Sequence, residues 1–293
     1  MTETTGEYIE ARLDVPHEFA DVVCNFVIEN ICSGLVLEEE EGSATTGISF
    51  YVALNDDKNY QQKLDGYLKQ LATEGLPQTP EVRTRTIRQA EWEEQYRQSV
   101  RPVRICDDVV VRPPWFEPVD GTTYDIIIEP RMAFGTGQHE TTRSCLSAIR
   151  QHFRKGWSVL DLGCGSGILS VLADKMGATK ITAIDYDLLA VDNCRENFEV
   201  NHVEALFEIE HGSIEKCDGD RSFDFVCANI IRDTIIEMLP RLVQLTAKGG
   251  VLVLSGILDR YETEISDGLR SEGLGRIEVI HDNEWLTFVA FRD

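Results

Sequence analysis

Residues 159–168, Val-Leu-Asp-Leu-Gly-Cys-Gly-Ser-Gly-Ile, set Gly163, Gly165 and Gly167 at alternate positions between an apolar run and a helix-like run. A turn of this kind brings bare backbone and a helix N-terminus up to a ligand. A dinucleotide fingerprint spaces its glycines as GxGxxG, and here Ile168 stands where the third glycine would fall. No Gly-Lys-Ser/Thr follows, which excludes a P-loop. No Lys or Arg lies between Gly156 and Asp174 to balance phosphates, and Asp161 puts a carboxylate at the strand end, where it opposes a pyrophosphate. The ligand should therefore carry an amine beside the turn and a carboxylate for the helix N-terminus. S-adenosyl-L-methionine has both. The next apolar run, Ile181 to Asp185, ends in an acid 22 residues after Gly163, where a carboxylate accepts both hydroxyls of a ribose. The bland reading makes Asp185 a helix N-cap and the glycines a plain tight turn.

Two further stretches carry chemistry. In Phe134 to Thr142, "FGTGQHETT", glycines flank Thr136, and Gly137 allows close backbone approach. Thr141 and Thr142 supply hydroxyls at the start of a helix, as caps or as ligand contacts. His139 and Glu140 lack the second histidine of HExxH, so no zinc site is expected. Asn229 follows the apolar run Phe223 to Cys227, and such a strand end faces the ligand crevice. Its carboxamide oxygen, with the carbonyl of Ile230, suits an amine whose lone pair must be aimed. Asn197 and Asn201, one helical turn apart, are expected to fix the loop that holds an adenine.

The elements that must position these groups alternate with regular spacing. Strands are expected at 157–161, 181–185, 206–210, 223–228 and 250–255, with helices at 167–177, 188–200, 231–245 and 260–270. That order predicts a doubly wound α/β sheet over residues 103–293, and Ile277 to Phe291 reads as strand–turn–strand, making the last strand antiparallel. Residues 1–90 read β-α-β-β-α-β, a small ferredoxin-like α+β domain. Residues 91–102, with Trp92 and Tyr96 at i and i+4, read as a linker helix.

Composition narrows the setting. Fifty-one acids against 28 bases give a net charge of −23, which disfavours direct nucleic-acid binding and suits a basic protein partner. The Glu38–Glu41 run is either a docking site for that partner or a solvated strand end. No apolar stretch is long enough to span a membrane, and the opening MTETTGEYIE is neither a signal nor a transit peptide. Eight cysteines without a CxxC pair read as reduced thiols, so a cytoplasmic setting without a metal is expected.

The acid followed by GxGxG resembles the first motif of the class I S-adenosylmethionine-dependent methyltransferases. With "FGTGQHETT" (134–142), "GCGSGILS" (163–170), "ENFEVN" (196–201), "ANIIRD" (228–233) and "LSGIL" (254–258), the chain is similar to the ribosomal protein L-eleven (L11) methyltransferase family over nearly its whole length. The resemblance implies a Rossmann-like catalytic domain that binds S-adenosyl-L-methionine. It implies methyl transfer to lysine ε-amines and an N-terminal α-amine of ribosomal protein L11, taken free rather than ribosome-bound and held by residues 1–90. It assigns the Thr136–Gly137 loop to the methionine end of the cofactor and makes Thr142 a contact. It sets Ser213 and Ile214 beside the adenine, and Asn229 where amino methyltransferases carry Asn-Pro-Pro-Tyr, although no proline or tyrosine follows here. Glu140 stands where the family usually has proline, and Arg232 where a small residue is common. A same-fold methyltransferase with another acceptor, and a non-catalytic cofactor-binding ribosome-assembly module, are the alternative readings. No side chain reads as a dedicated base, so the acceptor proton is expected to leave to water.

Overall fold

The computed structural model describes residues 7–32, 35–39, 43–53, 59–88, 100–129, 137–217, 219 and 221–293. The chain divides into two compact units, Met1–Val100 and Arg101–Asp293.

In the first unit the order is β1 (Glu7–Pro16), α1 (His17–Asn30), β2 (Leu35–Glu39), β3 (Thr45–Ala53), α2 (Tyr60–Glu74) and β4 (Arg83–Arg88). The strands form one antiparallel sheet in the order β2-β3-β1-β4, the arrangement of a split βαβ unit. Alternation builds its core. Ala11, Leu13 and Val15 of β1 and Ile48, Phe50 and Val52 of β3 cluster with Val23 and Val27 of α1 and Leu64 and Leu68 of α2. Glu38 and Glu39 close β2, while Glu40 and Glu41 lie outside the described residues. Of the expected linker helix, residues 91–99 also lie outside them, and Val100 to Pro102 are not helical.

The second unit opens with a small sheet of β5 (Val103–Cys106), β6 (Val109–Arg112) and β7 (Tyr124–Ile127), with β6 and β7 parallel. Buried Arg112 pairs with Asp125 at 2.7 Å within it. Then come α3 (Glu140–His152), β8 (Ser158–Leu162), α4 (Ile168–Lys175), β9 (Lys180–Asp185), α5 (Leu188–Val200), β10 (Leu206–His211) and β11 (Phe223–Asn229). The unit is completed by α6 (Arg232–Leu245), β12 (Thr246–Leu258), α7 (Glu262–Ser271), β13 (Arg276–Asp282) and β14 (Trp285–Phe291). The seven-stranded sheet runs β10-β9-β8-β11-β12-β14-β13, and β14 is antiparallel to both neighbours, as the sequence predicts.

Each face of this sheet is covered. Val159, Ile181, Phe225 and Val253 point into one apolar cluster with Leu146 and Ile149 of α3 and Leu172 of α4. Leu160, Ile184, Val226 and Leu252 point into the other, with Leu242 of α6 and Leu269 of α7. Strand order reverses between β8 and β11, which opens a crevice beyond their carboxyl ends. No helix among the described residues is long and apolar enough to cross a membrane.

Candidate functional site

A cavity of about 460 Å³ fills that crevice. Its wall follows the strand order. Asp185 and Tyr186 come from the end of β9, Gly212 and Ser213 from beyond β10, and Leu162, Gly163 and Gly165 from β8 and the turn after it. Asn229, Ile230 and Ile231 follow along β11, with Thr234 on α6, Gly256 in β12 and Trp285 opening β14. His139 and Thr141 close it from the start of α3.

The glycine turn is built for close approach. Gly163, at φ 72°, has the Ile230 side chain where a Cβ would stand, so any side chain here collides with the residue after Asn229. The Gly165 N–H donates to Asp185 Oδ2 at 2.8 Å, and the Asp187 N–H donates to Asp185 Oδ1 at 2.9 Å. Asp185 is thus oriented by the turn itself and still lines the cavity. The helix cap beside it is Asp187, whose Oδ1 accepts from the Leu189 N–H, so the bland capping role falls to a different residue.

Asp161 is elsewhere than expected. It is fully buried behind the turn and does not reach the cavity wall. Its Oδ2 accepts from Ser170 Oγ at 2.7 Å, and its buried Oδ1 accepts from nothing. Burial raises its carboxyl from the ordinary 3.8 to about 6. Because the folded value lies above the unfolded one, this group's share of stability is full below pH 3.8 and is lost as pH rises through about 6. That share is about 3 kcal/mol. The stability gain of Asp161→Asn over the native chain should therefore grow between about pH 4 and about pH 6 and then level off, as read by urea unfolding. Parallel stability–pH profiles for the two chains would defeat this account.

At the start of α3 the cap is His139, so of the two roles open to the threonines capping falls to neither. Its Nδ1 accepts from the Thr141 N–H at 3.2 Å and lies 2.8 Å from Thr141 Oγ1. Burial lowers the imidazole's pKa, and with Nδ1 accepting from a backbone N–H the ring proton sits on Nε2. Thr142 is 1% exposed and lies off the cavity wall, with its Oγ1 unpartnered. Gly137 packs against Val111, and Thr136 lies outside the described residues.

Asn229 ends β11 opposite Ser255 of β12, and its Oδ1 is a buried acceptor with no hydrogen-bond partner. Such a group costs about 1–3 kcal/mol unless something donates to it, and Asn229 lines the cavity. Ser213 lines the opposite end, its N–H donating to Glu215 Oε1 at 2.9 Å, while Ile214 packs into the core. Asn197 and Asn201 fasten other parts than an adenine loop. Asn197 Nδ2 donates to the Ser166 carbonyl inside the glycine turn at 2.9 Å. Asn201 exchanges hydrogen bonds with the backbone of Ile127 in β7. Arg232 is drawn to Glu264 and lies over the Tyr261 ring at 4.4 Å, off the cavity wall.

The structure thus gathers Gly163, Gly165, Asp185, Ser213 and Asn229 around one cavity and leaves Thr142, Asp161, Gly167 and Gly137 off its wall. Residues that the sequence reading missed include Tyr186, Gly212, Thr234, Gly256 and Trp285. Tyr186 was signalled only by following Asp185, whereas Trp285 arrives through its pairing with Leu258 across β12 and β14. The donor set suits S-adenosyl-L-methionine: an acid at one end, bare backbone in the middle and an unpartnered amide oxygen beyond. Among the described residues no group of three or more His, Cys, Asp or Glu side chains could hold a metal ion.

Comparison with known proteins gives concordant results. The family model described as "Ribosomal protein L11 methyltransferase (PrmA)" matches residues 7–293. A ribosomal protein L11 methyltransferase of a Nitratiruptor species is 32% identical over 289 residues, covering 98% of this chain and 96% of its own. A namesake from Campylobacter concisus is 40% identical over 199 residues, covering 68% and 69%. The crystal structure of a ribosomal protein L11 methylase from Lactobacillus delbrueckii subsp. bulgaricus aligns with a TM-score of 0.59 at 25% identity, over 66% of this chain and all of that one.

Proposed function

Since the chain belongs to the ribosomal protein L11 methyltransferase family, we propose that it transfers methyl groups from S-adenosyl-L-methionine to lysine ε-amines and the N-terminal α-amine of ribosomal protein L11. The observation that carries this reading is the unpartnered Asn229 Oδ1 in the cavity wall. We assign the ribose hydroxyls to Asp185, the adenine to the Ser213 end, and the amino-acid end to the turn and the Thr136–Thr142 segment. Asp161 then acts from behind the turn as a buried carboxylate, without touching the ligand. When bound, S-adenosyl-L-methionine supplies a methyl already activated on a sulfonium.

The chain's own residues have two tasks. One is to present a neutral amine. A free lysine has a pKa of ~10.4, and a wall of Ile230, Ile231 and Leu162 lowers it by desolvation. Asn229 Oδ1 accepts an N–H of that amine without supplying a charge that would hold it protonated. The proton leaves to water. The other task is alignment, which contributes roughly 7–11 kcal/mol when the reacting atoms are held in line.

Residues 1–90 are assigned to holding L11, residues 91–102 to linking, and residues 103–293 to catalysis, close to the division of the chain at Val100. A net charge of −23 suits a basic partner and opposes phosphate, in line with free L11 as the substrate, no nucleic-acid contact and a cytoplasmic setting. The test is incubation with methyl-labelled S-adenosyl-L-methionine and free L11, then mapping of label by mass spectrometry. Label is expected on lysine or α-amino nitrogen and should vanish with Gly163→Arg, whose side chain meets Ile230. A native chain that binds the cofactor yet leaves L11 unlabelled would sink the substrate assignment.

A further inference from the structure

We propose that Trp285 is the specificity-determining residue at the acceptor end of the cavity, where its indole selects an acceptor that becomes cationic on nitrogen. The inference rests on the amine methylation proposed above.

The placement follows from the sheet. Asp185 and Tyr186 stand at the β9 end of the wall, and Trp285 stands across β8, β11 and β12 from them. Because β14 runs antiparallel, its first residue lies at the carboxyl edge of the parallel strands. There it pairs with Leu258, three positions beyond the Ser255 that pairs with Asn229. The ring therefore lies on the Asn229 side of the cavity, away from the acid that suits a ribose.

The ring is also fixed. It meets His139 in a T-shaped contact, with centroids 5.1 Å apart and planes inclined by 64°. The turn leading into β14 is stapled to the helix that follows His139. Arg143 donates to Asp282 Oδ2 at 3.1 Å, and Asn283 Nδ2 donates to Glu140 Oε1 at 3.2 Å. Asn283 holds φ 55°, a left-handed conformation that asparagine tolerates better than most residues. Glu140 is thus one half of a fastening.

The chemistry at this end asks for an aromatic group. In each transfer the lone pair of the amine nitrogen forms the new N–C bond while the C–S bond breaks towards sulfur. Positive charge passes from sulfur to nitrogen, and an ammonium that still carries an N–H later yields a proton to water. Among the described residues that line the cavity the only carboxylate is Asp185, at the far end. His139 is neutral and its Nδ1 is engaged. The charge that develops on nitrogen is therefore left to the indole, whose π-face attracts a cation within about 6 Å of its centroid. A neutral alcohol of the same shape, bound without reacting, gains nothing from it.

The test uses choline and its uncharged carbon isostere dimethylbutanol as probes. Their binding to the full chain loaded with S-adenosylhomocysteine is read by ligand-observed NMR, alongside methyl transfer to L11. Native protein and Trp285→Phe should prefer choline by about tenfold, and Trp285→Leu should bind both probes equally. Methyl transfer by Trp285→Leu should fall about tenfold in kcat, with cofactor affinity unchanged and activity largely restored in Trp285→Phe. Equal binding of both probes to the native chain, or a choline preference that survives in Trp285→Leu, overturns the proposal. A native chain that prefers choline but leaves L11 unmethylated overturns the substrate reading and supports this one.

Discussion

Asn229→Ala should cut the rate of methyl transfer to L11 by on the order of 100-fold, the cost of a misaligned reacting atom, and leave the fold intact. The native Oδ1 has no partner, so truncation breaks no hydrogen bond at that atom. Cofactor affinity should fall by much less than the rate, because the turn, Asp185 and Ser213 come from other strands. Asn229→Asp sharpens the argument. A carboxylate there favours the ammonium form of the acceptor, which has no lone pair to give. The aspartate chain should therefore also be slow near neutral pH and should recover as pH rises. Single-turnover rates across pH, with cofactor binding measured by calorimetry, separate these outcomes. An alanine chain that matches the native rate would remove Asn229 from the mechanism.

Gly167→Ala should make the catalytic unit markedly easier to unfold. Gly167 opens α4 at φ 76°, and its added Cβ would lie 2.6 Å from Cys194 Sγ and 2.9 Å from Phe198 Cε1. A left-handed alanine costs roughly 1–2 kcal/mol, and crowding a packed core costs a further ~1–3 kcal/mol. Together these lower Tm by roughly 5–15 °C for a unit of this size. Cys194→Ala in the same chain should return part of the crowding cost and none of the backbone cost. Calorimetric scans of the single and double variants test this, and an unchanged Tm in the single variant would refute the packing account.

Much of the catalytic unit was legible because its signals are local. Apolar runs alternate with helical periodicity, and each glycine turn sits between them, so strands β8 to β14 were found with small errors at their ends. β5 was missed because four residues containing Arg104 and Cys106 carry no alternation, and only pairing with β6 makes them a strand. The helix cap was missed because histidine is a poor cap by type, and burial that keeps its ring neutral is a property of the fold. Asp185 and Asn229 were readable as strand-end residues. Trp285 was not, because β14 is the last strand in sequence and lies between β12 and β13 in space. Asp161 looked like a ligand contact from its place in the motif, whereas the turn folds over it and leaves it fully buried.

That interior position of β14 bears on how the protein is made. Synthesis delivers β12 and β13 before the strand that separates them. Until residues 285–291 emerge, each of those strands keeps an open edge, and an open edge invites pairing with other chains. The same late segment brings Trp285 to the cavity. A chain halted after Asp282 would therefore carry every glycine of the turn and yet lack one wall of the cavity. The part of the cavity wall that Trp285 provides is thus in place only once β14 has joined the sheet.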